Sequence, residues 1–245
     1  MKNFFSSIRM RLIPASFVLL VTVLLAACSK FDNDDNNNNS EAAGLMSFNL
    51  APDQTAIGVA LSGSNLTNTP LAYTNYSGTY QPIFPGNRQV ESYSFQSDSS
   101  VATLNYNFEA NKYYSVFVAG NNGVYTNIVT RDNFDSLSAS SGKTFVRYIN
   151  AIPDSTKPTV TITANGTKVI DTPAGFSSVS DFVAADPGQI AVTVKNGSTI
   201  DASRTISLEQ GKVYTVLLAG VPGATDTTKA VQIKYILNGN LATGQ

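Results

Sequence analysis

The chain has 245 residues, of which 42% are hydrophobic and only 13% charged, with one cysteine and neither histidine nor tryptophan. Without histidine, Ser-His-Asp and Cys-His catalysis and the usual imidazole metal sites are excluded. A formal net charge of −1 with no basic cluster excludes nucleic-acid binding, which needs such a patch.

Residues 1–27 read as a lipoprotein signal peptide. Lys2, Arg9 and Arg11 form a basic start, and an apolar run from Leu12 to Ala27 follows, broken only by Pro14, Ser16 and Thr22. A basic start, a short apolar stretch and small residues before the cut describe export. A membrane-spanning helix needs roughly 20 apolar residues, more than this proline-bearing run offers. The ending Leu25-Ala26-Ala27-Cys28 resembles the lipobox of bacterial lipoproteins, so Cys28 is expected to become residue one and carry lipid. Several acyl chains on one residue meet the two-signal requirement for stable anchoring, at ~0.8 kcal/mol per buried CH₂. The membrane is therefore an expected partner through Cys28, and the expected location is the outer membrane. Cys28 is the only thiol, so no disulfide is available and stability must come from a hydrophobic core.

Residues 28–43 read as a disordered tether rich in Asn and Asp, with too little apolar surface to offset the entropy of ordering. A calcium loop at Asp32, Asp34 and Asp35 would need a Gly turn and a distal glutamate at fixed spacing, and neither is present. The acidic cluster loosely resembles surface-export signals of Bacteroidetes lipoproteins, which leaves both the cell-surface and the periplasmic face open. After the cut, loss of Lys2, Arg9 and Arg11 takes sixteen basic residues to thirteen against seventeen acidic, a net charge of −4.

From residue 44 onward the chain repeats with a period of about 100 residues. One copy opens on Leu45 to Asp53 and the next on Phe145 to Asp154, each ending in Pro-Asp. Pro85-Gly86 and Pro187-Gly188 follow at intervals of 33 and 34 residues, and both copies close on a strand ending in Ala-Gly, at Gly120 and Gly220. These landmarks predict two homologous domains, 44–140 and 141–245, with the polar stretch Asp135 to Gly142 as linker. Inside the copies the code is β. Val160, Ile162 and Ala164 alternate with threonines before Asn165-Gly166, and Ile190 to Val194 precedes Asn196-Gly197. Asn-Gly between alternating runs is a strong hairpin signal, because both central turn positions favour positive φ. Six to eight short strands per copy and no amphipathic helix predict an all-β chain of two tandem immunoglobulin-like sandwiches.

The repeated pattern resembles a bacterial family known as domain of unknown function 4397. The residues that carry the likeness are Ile152-Pro153-Asp154, Val160 to Gly166, Pro187-Gly188 and Tyr214-Thr215-Val216, with a weaker first copy that has Gly58 to Gly63 in place of the Asn-Gly hairpin. The family often carries a histidine before Pro-Asp, which this chain lacks. The resemblance implies the fold and no established chemistry.

No catalytic residue, metal site or cofactor is expected. Glu109 and Glu209 stand at equivalent repeat positions, as do Asp53 and Asp154, which points to duplicated turns. Glu91 is the remaining glutamate beyond the tether, and a glycosidase pair would need two carboxyls ~5–9.5 Å apart. The asymmetric feature is aromatic: Tyr73, Tyr76, Tyr80, Phe84 and Tyr93 in the first copy, against Phe176 and Phe182 in the second. Such rings either fill the first core or form a ligand surface for a glycan or envelope protein, with Tyr73, Tyr76, Tyr80 and Phe84 as its candidates. Ser136, Ser155 and Thr227 follow aspartates in triplets resembling Bacteroidetes O-glycosylation acceptors. The function expected is a non-catalytic envelope binding or scaffold lipoprotein. The alternatives are a glycan-binding accessory lipoprotein of a polysaccharide-uptake system and a surface-fibre or adhesion subunit.

Overall fold

Four runs of seven or more buried residues organise the molecule, because each belongs to a strand covered on both faces. The computed structural model describes residues 41–197 and 199–241; the signal peptide, Cys28 and the tether up to residue 40 lie outside the described residues. None of the described helices is long and apolar enough to cross a membrane.

The first copy comprises β1 (Ala43–Asn49), β2 (Ala56–Leu61), β3 (Ser64–Asn65), β4 (Leu71–Ala72), β5 (Gln81–Ile83), β6 (Gly86–Ser94), β7 (Ser100–Phe108), β8 (Tyr113–Asn121) and β9 (Val124–Arg131). The second comprises β10 (Thr144–Asn150), β11 (Thr159–Ala164), β12 (Thr167–Pro173), β13 (Val183–Ala185), β14 (Gly188–Lys195), β15 (Asp201–Leu208), β16 (Lys212–Ala219) and β17 (Gln232–Asn240). Between them, two 3₁₀ turns at Phe134–Ser136 and Ala139–Ser141 occupy the polar stretch. The all-β class and the two sandwich halves agree with the sequence.

Each half pairs its strands in the same order. Sheet A runs β5-β1-β8-β9 and sheet C runs β13-β10-β16-β17, while sheet B runs β3-β2-β6-β7, with β4 also on β2, and sheet D runs β12-β11-β14-β15. In both halves the opening strand lies parallel to the strand that leads into Ala-Gly, β1 on β8 and β10 on β16. These registers make Met46 the counterpart of Arg147, and Ser115 the counterpart of Thr215.

Alternation persists inside the buried runs, but both faces are apolar. Leu45, Tyr114 and Val116 point into the core between sheets A and B, while Met46, Phe48 and Phe117 point the other way. On the far side, Val146, Tyr148 and Tyr214 fill the core between sheets C and D, while Ile149, Leu217 and Ala219 join Met46, Phe48 and Phe117. The sheets therefore stack as four layers, B-A-C-D, with a third core shared by the two halves. The faces in contact are repeat counterparts: Phe48 with Ile149, Phe117 with Leu217, and Ala119 with Ala219 all lie in that core. The halves meet through the same surface of each, as in an isologous dimer interface.

The repeated landmarks have local causes. Asn165 and Gly166 carry φ of 48° and 76°, the tight hairpin turn the sequence predicts, and Ser62-Gly63 makes the matching turn in the first copy. Gly120 and Gly220 are required by close approach: a Cβ would stand 2.1 Å from the Val124 carbonyl oxygen and 2.2 Å from that of Ala230. Asn196-Gly197 departs from expectation, because β14 continues to Lys195 and β15 starts only at Asp201. The Asn196 side-chain oxygen accepts the Thr199 and Ile200 amides at 3.0 and 2.9 Å, closing a longer loop in which Thr199 and Ile200 are not strand.

Candidate functional site

The chemistry buried in this molecule lies at the junction of sheets A and C. Arg147, on β10, replaces the Met46 of the first copy and is only 2% exposed. A buried guanidinium must be paired and hydrogen-bonded, since isolated charge is strongly penalised in an apolar medium. Its Nη2 lies 2.6 Å from the Asp132 carboxylate and donates to Ser115 Oγ at 3.1 Å. Its Nε donates to Thr215 Oγ1 at 3.0 Å. Thr215 donates to Asn238 Oδ1 at 2.6 Å, and Asn238 Nδ2 donates to Tyr80 Oη at 3.2 Å. Tyr80 closes the ring by donating to Asp132, which also accepts from Ser115 at 2.7 Å.

The ring is built by the repeat. Asp132 follows the residue paired with Tyr114, and Asn238 follows the residue paired with Tyr214, so the two are counterparts, like Ser115 and Thr215. Each half contributes a hydroxyl and an Asx residue, and Arg147 breaks the symmetry between them. Phe182 covers the guanidinium, with its ring centroid 4.3 Å from Cζ, a cation–π arrangement. Burial pushes the Tyr80 hydroxyl well above its usual range, and the neighbouring Asp132 carboxylate pushes it further.

Two clefts flank the ring. One of about 310 Å³ is lined by Arg131, Asn133, Ser136, Arg147, Ser180 and Asp181. The other, of about 360 Å³, is bordered by Tyr80, Tyr113, Phe134, Val213, Asn238 and Leu241. Among the described residues, no three of His, Cys, Asp and Glu gather closely enough to hold a metal.

The four aromatic residues of the expected ligand surface separate. Tyr73, Tyr76 and Tyr80 are half-buried against the core shared by sheets A and C, and Tyr76 stacks on Phe48 at 5.5 Å. Phe84 stands 70% exposed beside Arg88, bordering a different groove. No single aromatic platform is assembled from these four. Tyr93, by contrast, lies on the outer face of sheet B, near-parallel to Phe95.

The acidic pairs have structural partners. Asp53 accepts from the Asn122 amide at 2.8 Å and Tyr125 Oη at 2.7 Å, tying the β8–β9 turn to the first loop. Asp154 instead accepts the Thr156 amide at 2.6 Å. The Glu109 and Glu209 amides both donate to the tyrosine five residues on, at 2.9 and 3.2 Å, a duplicated corner. Ser136, Ser155 and Thr227, the expected O-glycosylation acceptors, are all exposed at turns. Cys28 lies outside the described residues.

Sequence reasoning passed over Asn49 and Asn150. Each sits four residues before the Asp of Pro-Asp, fully buried, and each accepts the amide two residues on at 3.1 Å. Asn49 Nδ2 donates to the Gln54 and Leu71 carbonyls, and Asn150 Nδ2 to that of Ala174. Their equal spacing from Pro-Asp was the available signal.

The chain is similar to two solved structures, a candidate cell adhesion protein from Bacteroides eggerthii DSM 20697 and another from Bacteroides uniformis ATCC 8492. The first shares 10% identity over 84% of this chain and 98% of the other, with a TM-score of 0.25. The second shares 12% over 82% and 98%, with a TM-score of 0.24. Overlaps this loose bear on neither fold nor function. No curated protein matches the chain. The model of the domain of unknown function DUF4397 matches twice, over residues 43–157 and 144–234. The chain belongs to the DUF4397 family and carries two copies of its domain.

Proposed function

We propose that this chain is a cell-envelope lipoprotein with a non-catalytic binding or scaffold role, held on the outer membrane by lipid on Cys28. One observation carries the reading: the most deeply buried charges, Arg147 and Asp132, close on each other and join the two halves. Arg147 borders a cleft, but its guanidinium is committed to Asp132, Ser115 and Thr215, so we read the pair as serving assembly. The carboxylates duplicated by the repeat serve turns and exposed ion pairs, with Glu109 facing Arg131 and Glu209 facing Lys212. The Leu25-Ala26-Ala27-Cys28 signal supplies the anchor.

Cells fed labelled palmitate test the anchor: the wild-type chain should take up label, and Cys28→Ala should take up none. Proteolysis of intact and lysed cells tells the surface face from the periplasmic one. Label retained by Cys28→Ala, or turnover of a polysaccharide by the purified chain, would contradict the proposal.

A further inference from the structure

We infer that the outer face of sheet B is a binding site for neutral glycan chains, centred on Tyr93. The inference rests on the non-catalytic binding reading and names its ligand class.

The site starts from small residues. On β2, Gly58 stands directly across from Tyr93 of β6, and Ala60 across from Glu91. Because Gly58 lacks a Cβ, the Tyr93 ring lies over its backbone; a Cβ there would fall 2.2 Å from Tyr93 Cζ and 2.4 Å from its hydroxyl. The ring is thereby held down on the sheet. Phe95 lies beside it at 6.2 Å between centroids and 20° between planes, and is 38% exposed. Beside the ring lies a trough of about 320 Å³, bordered by Ala60, Gly63, Asn65, Glu91, Tyr93 and Asp98.

Two features point to a sugar. Among the described residues, the side chains of Asn65, Glu91, Tyr93 and Asp98 make no hydrogen bond or ion pair, so a ring of donors and acceptors converges unengaged on one trough. An aromatic ring held on a rigid sheet with amide and carboxylate groups around it suits a ligand that is apolar on its C–H faces and polar at its rim. Nothing bordering the trough is basic, while Glu91 and Asp98 are acidic, so uronate-rich or sulfated chains are repelled and neutral chains favoured.

The second copy lacks the aromatic and acidic groups of this site. By register, Thr159 and Lys195 stand where Gly58 and Tyr93 do, and Thr161 and Thr193 where Ala60 and Glu91 do. Its polar groups are engaged with each other: Lys195 pairs with Asp201 at 3.0 Å and Lys168 with Asp171 at 2.8 Å, and Thr161 donates to Asp171 at 2.8 Å. Two faces of the same fold thus diverge, one internally paired and one open.

The test uses the full chain in detergent and an array of neutral α- and β-glucans, mannans and galactans, with polygalacturonate as the acidic probe. Wild-type protein should bind at least one neutral chain and not polygalacturonate. Tyr93→Ala and Glu91→Gln should each weaken binding at least tenfold, about 1.4 kcal/mol. Glu91→Gln leaves shape and packing unchanged, so it decides the matter if Tyr93→Ala loosens the fold. Absence of neutral-glycan binding, binding unaffected by Glu91→Gln, or equal binding of polygalacturonate overturns the inference while leaving the anchored scaffold intact. Release of new reducing ends from a bound glycan would instead sink the non-catalytic reading and leave the site standing.

Discussion

Replacing Asp132 with Asn takes the negative charge from the junction and leaves Arg147 buried without its counter-ion. Arg147 is 2% exposed; among the described residues its only ion pair is to Asp132 at 2.6 Å, and its other hydrogen-bond partners are the hydroxyls of Ser115 and Thr215. Removing one partner of such a pair costs about 3–5 kcal/mol, a large share of a stability of roughly 5–15 kcal/mol. The repeat supplies the compensating change. Met46 occupies the counterpart of Arg147, and Asn238 that of Asp132, so the double variant Asp132→Asn/Arg147→Met gives both positions residues the fold already accommodates. Replacing a whole buried pair by apolar or neutral groups of similar volume is often neutral. The double variant should therefore recover most of the loss, with a coupling energy of about 2–3 kcal/mol. Urea unfolding at neutral pH, followed by circular dichroism, measures all four corners of the cycle. Losses that simply add, with coupling below about 0.5 kcal/mol, would refute the claim that Arg147 and Asp132 act as a unit.

Gly120→Ala puts a Cβ 2.1 Å from the Val124 carbonyl oxygen at a φ of +131°, so thermal unfolding should show a loss of at least about 2 kcal/mol. Asn150→Ala removes a buried acceptor and donor from the loop after β10 and should cost about 1–3 kcal/mol by the same assay. High pH should unfold the chain through its tyrosines. Burial pushes the Tyr73 hydroxyl up to about 12, and Tyr80 is raised as well, so both hold protons in the folded state that the unfolded chain gives up near pH 10. Their contribution is complete below pH 10 and fades as pH rises through the folded values, and Tyr73→Phe should flatten part of that decline in a pH series of melting temperatures.

The strands and turns were legible because their signals are local. Val160 to Gly166 carries both its alternation and its turn, and the folded chain follows it residue for residue. The second repeat announced itself through Pro-Asp, Pro-Gly and Ala-Gly, whose spacing is that of strand ends and close backbone approaches. The junction was hidden for a different reason. Tyr113 to Ala119 and Val213 to Ala219 are apolar on both faces, the mark of a doubly covered strand, but the run does not say what covers the second face. That cover is the other copy, and Tyr73, Tyr76 and Tyr80 pack half-buried against the core it completes. Arg147 could not be placed either, because its partner Asp132 lies in the first copy and pairs with it only once sheets A and C stack. The outer-face trough depends on cross-strand register, Gly58 opposite Tyr93, which a single sequence does not reveal.

Hydrogen exchange on the full chain, read strand by strand, tests most directly whether the two copies form one cooperative unit. The shared core and the Arg147 ring predict that amides of β1, β8, β10 and β16 exchange only through global opening, with one common free energy. Exchange of β10 and β16 through an opening that leaves β1 and β8 protected would contradict it, and would return the copies to independent beads on a tether.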